Sequence, residues 1–151
     1  MVNLFAQVTP RILIYSATAV YTYLPLYASC VQSLSRYRHD SIPAATAALQ
    51  QLGQQHGIVS DATEDKTRFN DNNLVNYDAI LFLSNSEEVL DDGGKQAFQT
   101  YLNKGGNYVG IHAASACLYN TTFYQNEVGT RVSFSAKADS GFKLTHVRCP
   151  F

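Results

Sequence analysis

The chain has no tryptophan, a single methionine, four prolines and three cysteines among its 151 residues. Cys30, Cys117 and Cys149 are odd in number and widely spaced, so they form neither a CxxC pair nor a zinc pattern. A reducing, cytoplasmic setting is the simpler expectation. Charged residues make up only 15% of the chain, the formal net charge is -1, and no basic block occurs. That balance argues against nucleic acid as a partner, because phosphate backbones are held by clustered lysine and arginine. The start lacks a basic region leading into an apolar run and a small-residue cleavage site, so no secretory leader is expected. The most apolar stretch, residues 20–31, is broken by Pro25. It is shorter than the roughly 20 residues a membrane-crossing helix needs, so no membrane span is expected. No Walker loop or GxGxxG follows the first predicted strand, and no nucleotide cofactor is signalled.

What is present is a core-forming pattern. Apolar residues make up 46% of the chain, enough for one globular domain. Residues 11–17, 57–61, 77–84 and 107–111 read as strands, the first as buried and the third most clearly so, as Ala79 to Leu83 are all apolar. Between the first two, Asp40 or Ser41 can cap a helix with Pro43 in its first turn, and Ala45, Ala48, Leu49 and Leu52 recur at helical spacing. Gly53 or Gly57 can end it. Residues 61–76 read as a polar loop with a short helix near Leu74. Asp91 and Asp92 open a second long helix with Phe98 and Leu102 inward, stopped by Gly105 and Gly106. Strands alternating with helices predict an α/β fold with a parallel sheet. Two segments fall outside this pattern. Residues 21–36 are a long apolar insertion where connections are normally short. Residues 130–151 show no clear periodicity and no closing element.

Ligands of open parallel sheets bind at the carboxyl ends of the strands, and three groups fall there. Arg38, His39 and Asp40 precede a helix N-terminus, which favours anions and polar oxygens; they equally make a cap with two solvated side chains. His112 sits where the fourth strand turns sharply, flanked by Gly110, Ala113 and Ala114, in the manner of a nucleophile elbow. A histidine there can serve as acid, base or metal ligand, or simply hold a structural hydrogen bond. Ser84, Asn85 and Ser86 follow the third strand and can bind a polar ligand or form a turn. Cys117 lies past the elbow, expected within a helix and inert. Two histidines without a carboxylate set define no metal site.

Residues 12–19 (ILIYSATA), 37–43 (YRHDSIP), 77–84 (YDAILFLS) and 104–114 (KGGNYVGIHAA), with the intervening 61–65 (DATED) and 69–71 (FND), resemble the trehalose-utilisation (ThuA-like) family. The resemblance covers residues 11–129, apart from 21–36, as a partial domain. It implies a flavodoxin-like three-layer sandwich related to class I glutamine amidotransferases, and a link to trehalose or related sugars. Those amidotransferases carry a nucleophilic cysteine at the elbow. His112 stands there in this chain, so no glutaminase activity is expected. The leading reading is therefore a sugar-related ThuA-like domain, with His112 as the candidate catalytic residue and Arg38, His39 and Ser84 as binding residues for a small sugar-like ligand. The second reading, from another class, is a non-catalytic ligand-binding domain or an inactive truncated product.

The departures have a common explanation. In the family the strand-end Thr-Ala runs almost directly into Arg-His-Asp-Ser-Ile, and further strands follow the equivalent of residue 129; here residues 130–151 match none of that, and the C-terminal part of the domain is expected to be missing. Val20-Tyr21 can be encoded with a GTAT or GTAC intron start and Arg36 with its terminal AG at the same codon phase, so removing 21–36 restores the family spacing in frame. Gly129-Thr130 can hide a second start, which makes the tail translated intron. The competing account is a genuine insertion with a shortened end. Sequencing the mature transcript is expected to show 21–36 removed and a different continuation after 129. A transcript that encodes both segments would overturn this. The chain as written is expected to be poorly soluble and to melt with little cooperativity, because truncation leaves a sheet edge open.

Overall fold

A computed structural model describes residues 9–19, 38–128, 130–131 and 145–146. Its elements run β1 (Arg11–Tyr15), α1 (Ile42–Gln55), β2 (Val59–Thr63), α2 (Asp71–Leu74), β3 (Ala79–Leu83), α3 (Asp92–Asn103), β4 (Asn107–Ile111) and α4 (Thr122–Val128). Single 3-10 turns occupy Lys66–Arg68 and Ala114–Ala116. A two-residue pair, Thr130–Arg131 with Thr145–His146, is antiparallel and separate from the main sheet. The segment 21–36 and the rest of 130–151 lie outside the described residues.

The four main strands form one sheet in the order β2-β1-β3-β4, every pair parallel. Parallel strands need crossovers, and the sequence supplies a helix or a helical loop between each pair. Strands 1 and 3 are central and, apart from Arg11 at the exposed start of β1, built of apolar and aromatic residues, since both their faces are covered. On one face Ile14, Leu81 and Leu83 are buried under α1, against Ala45 and Leu49. On the other, Leu13, Tyr15, Ile80 and Phe82 pack with Phe69, Leu74, Phe98, Tyr101 and Tyr124 from α2, α3, α4 and the loop before α2. The result is the three-layer α/β sandwich with a parallel sheet expected from the sequence.

Local chemistry sets the boundaries. Asp91 caps α3 by accepting the Gly94 N–H at 2.9 Å and pairs with Lys66 at 3.2 Å. Both contacts hold its carboxyl below the usual carboxylate range, the Gly94 N–H first. Gly105 stops that helix at φ +87°. A Cβ on Gly106 would stand 2.2 Å from the Tyr101 ring, so only glycine lets β4 start beside it. Three details depart from expectation. Ser41 is the N-cap of α1 but its side chain makes no capping hydrogen bond. Leu52 is 52% exposed, because its side of α1 turns beyond the sheet, so Ala45 and Leu49 alone of that series cover it. The second strand starts at Val59 rather than residue 57, where the Val59 N–H reaches the Pro10 carbonyl.

Phe98 is fully buried and stacks on Phe82 with ring centroids 5.3 Å apart. Phe98→Ala is expected to lower hydrogen-exchange protection of the Ile80 and Phe82 amides by the equivalent of about 3–5 kcal/mol. Asp91→Ala is expected to cost about 1 kcal/mol. That loss should be confined to the first turn of α3 and should vanish in the wild type as the pH falls through the depressed pKa of Asp91. Unchanged core protection in Phe98→Ala would refute this account of the core.

Candidate functional site

At the carboxyl edge of the sheet the loops after β1, β3 and β4 are laced together by backbone hydrogen bonds. The Ala19 N–H donates to Ser86 O at 3.2 Å, Glu87 N–H to Ala116 O at 3.0 Å, and Leu118 N–H to Glu87 O at 3.0 Å. Ser84, the first residue past β3, is buried with φ +55°, a left-handed conformation costly for a residue with a Cβ. That conformation lets its Oγ donate to the His112 carbonyl at 2.7 Å. Ser84 thus makes the turn expected of it and also fixes the backbone of the elbow residue.

The His112 side chain is exposed at the end of β4, and the His39 ring meets it edge to face, centroids 5.0 Å apart. His39 is held in turn by α1, whose first N–H, from Ile42, donates to the His39 carbonyl at 3.1 Å. Residues far apart in sequence, one ahead of α1 and one past β4, therefore place two imidazoles side by side. Arg38 points elsewhere and forms a short hydrogen-bonded ion pair with Glu64, just past β2. Glu64 keeps the guanidinium firmly protonated. Glu64 falls in the 61–65 stretch that carries the family resemblance but was not singled out as a site residue; its place past a strand's carboxyl end was the further signal. Arg38 and Glu64 line an open cavity of about 350 Å³, together with Ser16, Thr46, Gln50 and Thr63. Its wall holds one cation and one anion, already paired, with hydroxyl and amide groups beside the apolar Ile42, Pro43, Ala47 and Ala62.

Behind the elbow the chemistry is structural. Cys117 lies just past the 3-10 turn rather than inside a helix, and it is free and 2% exposed. Its thiol donates to the Ala114 carbonyl at 3.1 Å, and burial pushes its pKa up to about 12. A thiol so held is no nucleophile. Tyr124 donates to the same carbonyl at 2.7 Å and lies 2.7 Å from the Tyr108 hydroxyl, which braces the segment after His112. Asn85, completely buried, donates to Ala17 O at 3.3 Å and ties the ends of β3 and β1. Among the described residues no group of three or more His, Cys, Asp and Glu is placed to hold a metal ion, and no helix is long and apolar enough to cross a membrane.

None of the curated proteins matches the chain. Among solved structures, a ThuA-like protein of Bacteroides uniformis shares the fold with a TM-score of 0.61 at 23% identity, over 83% of this chain. The match takes in 46% of that protein, so this chain spans about half its length. The family model described as ThuA, trehalose utilisation, matches residues 30–148, a span that holds Arg38, His39, Ser84 and His112. With that match over most of its length, and with the fold it shares, the chain belongs to the ThuA (trehalose utilisation) family.

Proposed function

We propose that the carboxyl edge of the sheet binds a neutral, hydroxyl-rich ligand, trehalose or a related sugar, with His112 as the proton-transferring or ligand-contacting group. One observation carries this reading: His39, just ahead of α1, and His112, just past β4, meet at 5.0 Å at the edge where parallel sheets bind ligands. Two adjacent imidazoles can donate and accept protons at neighbouring hydroxyls. The ligand's neutrality follows from the Arg38–Glu64 pair. A guanidinium whose charge is already matched has less to offer a phosphate, whereas the pair presents donors and acceptors together to a diol. The cavity lined by Arg38 and Glu64, whose lining does not include His39 or His112, falls in the size range of small-molecule sites. The family's description supplies the link to trehalose. The free, buried Cys117 fits a reducing compartment such as the cytoplasm.

Trehalose binding, followed by saturation-transfer NMR, is expected for the wild-type chain. His112→Ala should weaken it at least about tenfold while amide spectra stay native. Glu64→Gln should leave Arg38 uncompensated and shift preference toward trehalose 6-phosphate. Binding that is unchanged in His112→Ala would remove His112 from the site. No preference shift in Glu64→Gln would remove the charge-matching argument.

A further inference from the structure

We propose that Tyr124, held in place by Tyr108, is a positioning residue for His112: it pins the elbow from α4 while Ser84 pins it from β3. The inference rests on the reading of His112 as the ligand-contacting group. The rings of Tyr108 and Tyr124 sit among Phe82 and Phe98, where phenylalanine would fill much the same space. What the two phenols add is a pair of hydroxyls that lead to one backbone atom, the Ala114 carbonyl oxygen.

Proton counting fixes the direction of this chain of hydroxyls. A carbonyl can only accept, so the Tyr124 hydroxyl, 2.7 Å from Ala114 O, must donate to it. Its single proton is then committed, and the Tyr108 hydroxyl, 2.7 Å away, has to be the donor to Tyr124. The Cys117 thiol gives Ala114 O a second donor at 3.1 Å, which fills both lone pairs of that oxygen. Burial raises both phenols well above their ordinary pKa, so their protons stay in place. Tyr124 and Ala114 are buried, where a hydrogen bond is costly to leave unmade. Gly110 makes room for the arrangement: a Cβ there would stand 2.9 Å from the Tyr108 hydroxyl and 3.2 Å from the Ala114 methyl. The small residues beside the elbow therefore admit the hydroxyls as well as the turn. Ala114 lies two residues beyond His112, whose own carbonyl accepts from Ser84 Oγ at 2.7 Å. With the backbone held on both sides of Ala113, the imidazole is set to meet His39 at 5.0 Å.

NMR of the whole chain tests this. The wild type is expected to show a nuclear Overhauser contact between the His39 and His112 rings. Tyr124→Phe keeps the aromatic ring and removes the donor to Ala114 O. It should abolish that contact and weaken trehalose binding at least about threefold. Tyr108→Phe, which leaves Tyr124 without its own donor, should weaken the contact in the same direction and to a smaller degree. Tyr101→Phe is the contrast. It removes another hydroxyl bonded to a backbone carbonyl, that of Tyr77 at 3.2 Å, at the amino end of the sheet. It should cost comparable stability and leave the imidazole contact unchanged. A contact absent from the wild type overturns the proposal. So does one that survives both Tyr124→Phe and Tyr108→Phe, or one lost equally in Tyr101→Phe. Because the contact is read without ligand, a wild-type chain that shows it and loses it in Tyr124→Phe, yet binds no trehalose, refutes the sugar reading and upholds the positioning role.

Discussion

Phe82 has to be enclosed on every side, and much of the molecule is arranged to do so. Its ring contacts Tyr15, Phe69, Phe98, Tyr108 and Tyr124, with centroids between 5.3 and 5.8 Å. Those partners come from β1, the loop before α2, α3, β4 and α4, so the packing of one side chain joins most of the elements on that face of the sheet. Aromatic pairs at such spacings contribute beyond the area they bury. Because β3 is central, its other face must be apolar as well, and Leu81 and Leu83 meet that need under α1. The strand's position fixes the site too. Where β3 leaves the core it turns through Ser84, and the hydroxyl of Ser84 takes hold of His112.

The site is therefore a consequence of how the core ends. The loops after β1, β3 and β4 exchange backbone hydrogen bonds instead of running into solvent. Ser84 stands in a left-handed conformation that a residue adopts at a cost of about 1–3 kcal/mol, held by the buried surroundings. Strain kept beside two facing imidazoles is an arrangement associated with preorganised sites. Cys117 shows the opposite use of burial. Its raised pKa and its bond to the Ala114 carbonyl make it part of the support behind the elbow.

Charge distribution separates the two ends of the sheet and its two edges. At the amino end Arg11 and Asp78 hold one another's chain, the Arg11 N–H donating to the Asp78 carboxylate at 2.7 Å and the Asp78 N–H to the Arg11 carbonyl at 2.8 Å. At the carboxyl end Arg38 and Glu64 pair beside the cavity. The β2 edge carries an ion pair, and β4 carries no charge. In a chain with only 15% charged residues, where each one falls decides what the surface meets.

The sequence by itself determined the elements and their parallel arrangement. Short continuous apolar runs such as Ala79 to Leu83, bounded by turn residues, mark strands buried on both faces, and Asp91 and Gly105 mark helix ends through local backbone chemistry that needs no distant partner. The strand-end positions of Ser84 and His112 were legible for the same reason, since a parallel sheet puts all its carboxyl ends together, and His39 was legible as a residue just ahead of a helix. Distances across the edge were not. That His39 faces His112, that Ser84 bonds its carbonyl, and that Arg38 turns aside to Glu64 depend on contacts between residues 26 to 73 positions apart. Pattern in a sequence reports which face of an element is apolar, whereas such contacts depend on how the loops pack after the core has formed. Exposure of Leu52 and of Val109 was equally hidden: helical or strand periodicity marks a side as apolar, and only the assembled layers decide whether anything covers it.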